Sequence, residues 1–520
     1  MADKNYVIAL DSGTQSVRAV LFDRQGGVVA IAQAPHEPYF SLQPGWAEQR
    51  PEDYWAKLCQ VTNALMKKIT IDPKEIAGVG ITTQRGTFVP VDKQGNALRG
   101  AIIWLDQRKV PDPPPLSTAG KVLFGIAGLT EAINYVRKNS KFLWIKRFEP
   151  EIYKKTYKFM QVTGWFVYRL TGEFKDSVGM VTGIWPLDFK KLAWHSLKVA
   201  YEAFGLEPEQ MVDIYTPDTV LGHITAKASA ETGLPEGLPV VVGAGDKQSE
   251  LLGAGGAIDQ SIGVISYGTA TCMEIITKKY IADKNLRFFT WPAALPHAWD
   301  IELFIHRGFW MVTWFKQEFG HREAIEAEKR GVAPEVIFDE VIKDIPPGSM
   351  GLMVQPYWSP MVSAKYAKGS IIGFGDVHTR AHIYRAILEG LGYELRRLYE
   401  YFHGKTGVTI KEIRVGGGGS RSDMAVQIAA DIFDLPTSRM ATSEICALGA
   451  AIDAAVGTGM FASFEEAVAS MVKKGRVFEP IAHNHRVYDD LYQGVYLKTY
   501  GALEPLYKKI ASVTGYPPED

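Results

Sequence analysis

The sequence predicts an α/β protein built from two related domains. Three observations point there: an opening of β-branched runs broken by Gly and Asp, a later alternation of strands with helices, and a hairpin pattern that recurs half a chain further on. At 520 residues the chain also exceeds what one hydrophobic core usually serves.

The elements follow in order. Residues 6–10, 17–22 and 28–32 read as strands separated by the turns DSGTQS and DRQGG. Residues 52–68 read as a helix, 78–83 and 101–104 as strands, 112–115 as a proline-rich loop, and 141–170 as mostly helical. The stretch LPVVVGAGD, 238–246, reads as a buried strand running into a glycine turn and then a helix. A second pass starts near Ile262. VIALDSGTQSVRAVLF (7–22) and IGVISYGTATCMEIIT (262–277) both read as strand, tight Gly-Thr turn, strand, which suggests an internal duplication. VGGGGSRS lies between a strand, 412–415, and a helix, 424–433.

Composition narrows the class. Hydrophobic residues make up 46% and charged residues 22%, ordinary values for a globular protein. The formal net charge is -1 with no block of like charges, which argues against a nucleic-acid or membrane-surface partner. Cys59, Cys272 and Cys446 are far apart and form no CxxC pair, so neither a disulfide framework nor a zinc site is expected, and a reducing cytoplasm fits. The first residues carry no apolar core of a signal peptide, and no apolar run approaches the ~20 residues of a membrane span.

Four segments carry candidate chemistry. DSGTQSVR, 11–18, offers backbone N–H groups, hydroxyls and Arg18 to phosphate oxygens, and Asp11 offers a hard oxygen ligand to Mg²⁺, directly or through water. An ordinary hairpin turn has the same residues. YGTAT, 267–271, repeats the turn at the head of the second domain, where two opposed hairpins suit one nucleotide. VGGGGSRSD, 415–423, places glycines before a helix N-terminus, which favours a bound nucleotide over a flexible linker. GAGDKQ, 243–248, presents Asp246 at the end of a buried strand, where a carboxylate can take a proton from an attacking hydroxyl or cap a helix. His378 and His382 stand at i,i+4 without the glutamate of a zinc helix, so structural roles are expected.

In order along nearly the whole chain, DSGTQSVRAVLFD, GWAEQRPEDYW, ITTQRGT, IIWLDQR, VYRLTGEF, GAGDKQSELLGAG, SYGTA, GFGDVHTRAHIYRAILEG, VGGGGSRSDMAVQIAADIF and ALGAAIDAA resemble the FGGY carbohydrate kinases. The resemblance implies two duplicated ribonuclease H-like domains of the actin-like ATPase fold around a deep cleft. Residues 1–256 would bind the acceptor and hold the base, and 257–520 would bind the nucleotide. It implies ATP and Mg²⁺, phosphorylation of a sugar or polyol hydroxyl, and a homodimer. Asp246 matches the family's catalytic base. Thr14, Gln15, Ser16 and Arg18 match the first phosphate hairpin, Thr269 the second, and Gly308, Gly417, Gly418 and Ser422 further nucleotide contacts. Gln84, Arg85, Trp104, Tyr135, Asp246 and Lys247 fall on acceptor-side positions.

Three residues depart from the glycerol kinases of that family. Gly86 replaces a glutamate, Lys247 a glutamine and Cys272 a phenylalanine. A pocket that loses a hydroxyl-binding carboxylate and a large ring is expected to take a larger acceptor: a longer polyol, a ketose such as xylulose, or a sugar acid paired with Lys247. The alternatives are a glycerol kinase, and an actin-like ATPase that switches a partner instead of phosphorylating a metabolite.

Overall fold

The computed structural model describes residues 4–126, 128–359, 364 and 366–516. The N-terminal sheet comprises β1 (Tyr6–Ser12), β2 (Ser16–Asp23), β3 (Val28–Pro35), β4 (Ile76–Thr83), β5 (Val220–His223) and β6 (Pro239–Val242), in the spatial order β5-β6-β4-β1-β2-β3. β1 to β3 form an antiparallel meander, while β1, β4 and β6 run parallel. Every residue of β4 is buried, which is why IAGVGITT shows no polar alternation: a parallel strand covered on both faces has no wet side. The helix α1 (Pro51–Lys68) makes the crossover from β3 to β4, burying Tyr54, Leu58, Val61 and Leu65 at helical spacing. After β6 the chain turns directly into α2 (Asp246–Gly253).

The C-terminal sheet comprises β7 (Ile262–Tyr267), β8 (Thr271–Thr277), β9 (Phe289–Pro292), β10 (Trp299–Ile305), β11 (Glu412–Gly416), β12 (Thr437–Met440) and β13 (Lys474–Phe478), in the order β9-β10-β8-β7-β11-β12-β13. Its antiparallel β7-β8-β10 and parallel β7-β11-β12 repeat the arrangement of β1-β2-β3 and β1-β4-β6. The hairpin similarity seen in the sequence is therefore a duplication of topology. The helix α3 (Arg380–Thr406) lies between β10 and β11 as α1 lies between β3 and β4. α4 (Asp423–Phe433) follows β11, and α5 (Ile445–Gly457) follows β12 as α2 follows β6.

α5 and α2 join the halves. A Cβ on Gly449 would stand 1.9 Å from the Ser249 carbonyl oxygen, and one on Gly253 1.8 Å from that of Ile445. Only glycine permits this approach, so the two helices pack backbone to backbone. Around them Val7, Ala9, Val241, Leu251, Val264, Ile276, Leu448 and Ile452 form one apolar layer drawn from both sheets.

The stretch 141–170 is less helical than expected. A strand, Lys158–Gln161, separates the helices Pro150–Lys155 and Val162–Thr171. It pairs with Phe88–Val91 in a small separate sheet, a partner distant in sequence that overrides local periodicity. The strand at 101 is also short, Ala101–Ile102.

Candidate active site

At the end of β6 the turn Gly243–Gly245 hands the chain to α2, and Asp246 is its first helical residue. Gly245 holds the N-cap position. A Cβ there would come within 2.4 Å of Arg85 Cγ, so the glycine lets the arginine cross over the turn. Arg85 Nε then lies 3.5 Å from Asp246 Oδ1, and the Asp246 side chain keeps 34% of its surface exposed. A carboxylate at the carboxyl end of a parallel strand is where α/β sheets present groups to ligands.

The first hairpin comes to the same place. Asp11, near the end of β1, is buried, and Arg18 across the hairpin brings Nη1 to 3.4 Å from its Oδ2. Burial pushes the Asp11 carboxyl up to about 6; Arg18 opposes this, while Asp246, Glu444 and Glu250 add to it. Thr14 Oγ1 donates to Gln84 Oε1 at 2.7 Å and accepts from Trp104 Nε1 at 2.9 Å, tying the hairpin to the segments after β4 and near residue 102. Gln15 and Ser16 complete the turn, with the Gln15 carbonyl accepting from His36 N and Ser16 Oγ from Gln33 Nε2.

The second hairpin, between β7 and β8, carries Thr269 at its exposed tip. A Cβ on Gly308 would stand 2.3 Å from Thr271 Cβ, which places that glycine against the hairpin. The glycine run after β11 passes behind it. Gly417 has φ 77°, and a Cβ would meet the Tyr267 backbone at 2.8 Å. Gly418 faces open space.

The C-terminal sheet adds an acidic wall that sequence reading missed. On one face of β8 and β10, Glu274 pairs in register with Glu302. Glu302 Oε1 accepts from Arg85 Nη2 at 2.5 Å, and its Oε2 from Trp291 Nε1 at 2.6 Å. Cys272, Glu274 and Glu302 each bring a ligand atom within 4.8 Å of the others. Burial, with Asp300 and Glu302 close by, holds Glu274 well above the usual carboxylate range. Alternation in TCMEIIT and WDIELFI marks these acids as one-faced, but nothing local says that the face meets Arg85. Glu250, Glu444 and Cys446, whose thiol lies 3.4 Å from the Asp246 carbonyl oxygen, were likewise not singled out.

Four further positions singled out in the sequence have these surroundings. Lys247 Nζ donates to Ser266 Oγ at 2.6 Å and to Glu250 Oε2 at 3.1 Å, beneath the second hairpin, which uses two of its three N–H groups. Burial pulls its pKa down, but Glu250, Cys272 and Asp246 outweigh this and keep it charged. Ser422 is buried as the N-cap of α4, its hydroxyl accepting from Ala425 N and donating to Asp339 Oδ1 at 2.6 Å. Tyr135 stands 56% exposed on the helix Thr130–Asn139, and among the described residues no hydrogen bond or ring contact joins it to Arg85, Trp104 or Asp246. Gly86 has φ 71°, so the backbone itself demands glycine where glycerol kinases carry glutamate. His378 and His382 serve structure, accepting from the Gly375 and Thr379 backbone N–H groups.

The family model for the N-terminal domain of the FGGY family of carbohydrate kinases matches residues 6–253, and that for the C-terminal domain matches 263–458. The chain belongs to the FGGY family of carbohydrate kinases. It is similar to the uncharacterized sugar kinase YgcE of Escherichia coli K12, 31% identical over 95% of this chain and 93% of the relative. It is 28% identical to the xylulose kinase of Bacillus subtilis, over 95% of this chain and 97% of that one. Among solved structures, a gluconate kinase from Lactobacillus acidophilus superposes with TM-score 0.81 at 21% identity, covering 97% of this chain and 99% of the other. A xylulose kinase from Rhodospirillum rubrum gives TM-score 0.81 at 25% identity, covering 97% and 100%. The expected two-domain actin-like ATPase fold is thus present. This FGGY kinase is a phosphotransferase with an alcohol group as acceptor, taking ATP and a small sugar-like substrate. No helix among its described residues is long and apolar enough to cross a membrane.

Proposed function

We propose that this kinase transfers the γ-phosphoryl group of ATP to a hydroxyl of a polyol or ketose larger than glycerol, with Asp246 as general base. The observation that carries the reading is Asp246 itself: an exposed carboxylate at a strand end, oriented by Arg85, beside the first hairpin. As the acceptor oxygen bonds to phosphorus and the bond to ADP breaks, the acceptor's proton passes to Asp246. The N-terminal half, 1–256, presents acceptor and base, while 257–520 presents the nucleotide. Thr14, Gln15, Ser16, Arg18 and Thr269 supply the hairpin donors, with Gly308, Gly417 and Gly418 leaving room for the nucleotide.

The donor set fits a magnesium ion. Asp11 is a buried carboxylate with Asp246, Glu444 and Glu250 near it and only Arg18 to offset them, a carboxylate-rich, charge-excess environment that suits a hard cation. Asp11 would hold the ion, directly or through water, and its chemistry there is to neutralise phosphate charge. Arg18 shares that task from across the hairpin.

Gln84, Arg85 and Trp104 line the acceptor side. Gly86 and Cys272 are smaller than the glutamate and phenylalanine of glycerol kinases, and this supports a larger acceptor. Lys247, already paired, supports no sugar acid. Xylulose is the favoured candidate among ketoses, since the Bacillus subtilis relative is a xylulose kinase. A cytoplasmic homodimer fits this reading. ADP release measured with ATP, magnesium and a panel of polyols, ketoses and sugar acids tests it; no stimulation by any acceptor would overturn it.

A further inference from the structure

Resting on the carbohydrate-kinase reading, we propose that Glu302, on the opposite domain from the base, is a specificity-determining residue for the acceptor. Arg85 is the link. Its Nε faces Asp246 Oδ1 at 3.5 Å while its Nη2 donates to Glu302 Oε1 at 2.5 Å, so one guanidinium holds a carboxylate from each domain. The third nitrogen, Nη1, is buried and has no partner. A buried donor left open beside a catalytic carboxylate needs an oxygen to receive it.

Glu302 is built to stay where it is. Trp291 Nε1 fixes its second oxygen at 2.6 Å, and the register of β8 and β10 sets Glu274 directly opposite. Glu274 is fully buried with neither oxygen partnered. Each Glu302 oxygen has a lone pair beyond the one already used, because a carboxylate oxygen accepts two hydrogen bonds. A hydroxyl at this point accepts from Arg85 Nη1 and donates to Glu302, while another hydroxyl of the same acceptor meets Asp246.

This accounts for the missing glutamate beside the arginine. The backbone at Gly86, with φ 71°, excludes a side chain there, so the carboxylate arrives on β10 from across the cleft. Recognition of the second hydroxyl then draws on a group from each domain, Arg85 and Glu302, which already meet across the cleft. A site that pairs a hydroxyl rejects the analogue lacking it far more strongly than an apolar pocket rejects an extra methylene. Acceptors with a hydroxyl at that distance from the reacting one are selected; those without it are refused.

The test is steady-state kinetics of the full chain with Glu302→Gln, Glu302→Asp and Arg85→Ala, and with Glu302→Gln in the Arg85→Ala background. Glu302→Gln should raise the acceptor KM roughly 10- to 100-fold. The ATP KM should stay within about twofold, and Glu302→Asp should fall between. In the Arg85→Ala background the second change should add little, because the pair acts as one unit. Melting temperature and circular dichroism report folding. If unmutated enzyme turns over an acceptor and folded Glu302→Gln keeps the same acceptor KM and preference, the inference fails while the kinase reading stands. If Glu302→Gln does not fold, Glu302→Asp decides by the same criterion. If unmutated enzyme phosphorylates no acceptor, the kinase reading fails and takes the inference with it.

Discussion

Asp11 and Arg18 are cross-strand partners in the first hairpin, with Arg18 Nη1 3.4 Å from Asp11 Oδ2, and Arg18 Nε also lies 3.7 Å from Glu444. The arginine thus balances part of a carboxylate cluster that folding has buried. That arrangement sets up a conflict between stability and catalysis.

Asp11→Asn should stabilise the metal-free protein near pH 8. The carboxyl is raised from 3.8 to about 6, so folding favours its protonated form. That contribution is present in full below about 3.8 and is lost as pH rises through about 6. Ionised, the group costs on the order of 2–3 kcal/mol. Removing the charge should raise Tm by a few degrees near pH 8, and the gain should shrink as pH falls from 6 toward 4. Thermal melts of both proteins across pH check this; a constant difference would overturn it.

Activity should require a divalent cation, and Asp11→Ala should raise the magnesium concentration needed for half-maximal rate. A triphosphate beside Asp11, Asp246 and Glu444 meets like charge that Arg18, Arg85 and Lys247, each already paired with a carboxylate, offset only in part. Magnesium titrations of both enzymes give the measurement. Full turnover in excess EDTA would contradict the assignment.

Asp246→Asn should cost ~10²–10⁴-fold in kcat, because the amide cannot take the acceptor's proton. ATP binding and Tm should change little, since the side chain is partly exposed, and the amide oxygen of Asn can still accept from Lys247 N, which lies 3.1 Å from Asp246 Oδ1. Near-normal turnover in this variant would remove Asp246 from its role.

Glycerol should be a poor acceptor. Gly86 offers no carboxylate and Cys272 no ring, the two groups on which the proposal of a larger acceptor rests. Comparing kcat/KM for glycerol, erythritol, xylitol, xylulose, ribulose and gluconate decides it, and a tenfold preference for glycerol would refute the expectation.

A structural prediction concerns the helix crossing that joins the halves. Gly449→Val should lower Tm by several degrees, because its Cβ has only 1.9 Å to the Ser249 carbonyl and backbone cannot yield as a side chain does. An unchanged melt would mean that α2 and α5 can separate at little cost.

Much of this protein is legible in the order of its residues. β-branched runs ending in Gly-Thr turns specify both hairpins, and the buried strand before GAGD places Asp246 just past the carboxyl end of β6. Those features are local: a turn needs its own small residues, and a parallel strand needs continuous apolar character. The sequence by itself therefore determined the duplicated α/β architecture, the two hairpins, the glycine loop and the position of the candidate base. Only the tertiary structure decided what charges meet there. It brought Glu302 to Arg85 across 217 positions, drew Lys247 onto Glu250 and Ser266, and spent Ser422 on a helix cap. The physical reason is that an ion pair depends on distance in space, which two sheets packed through α2 and α5 fix and which no local residue pattern encodes.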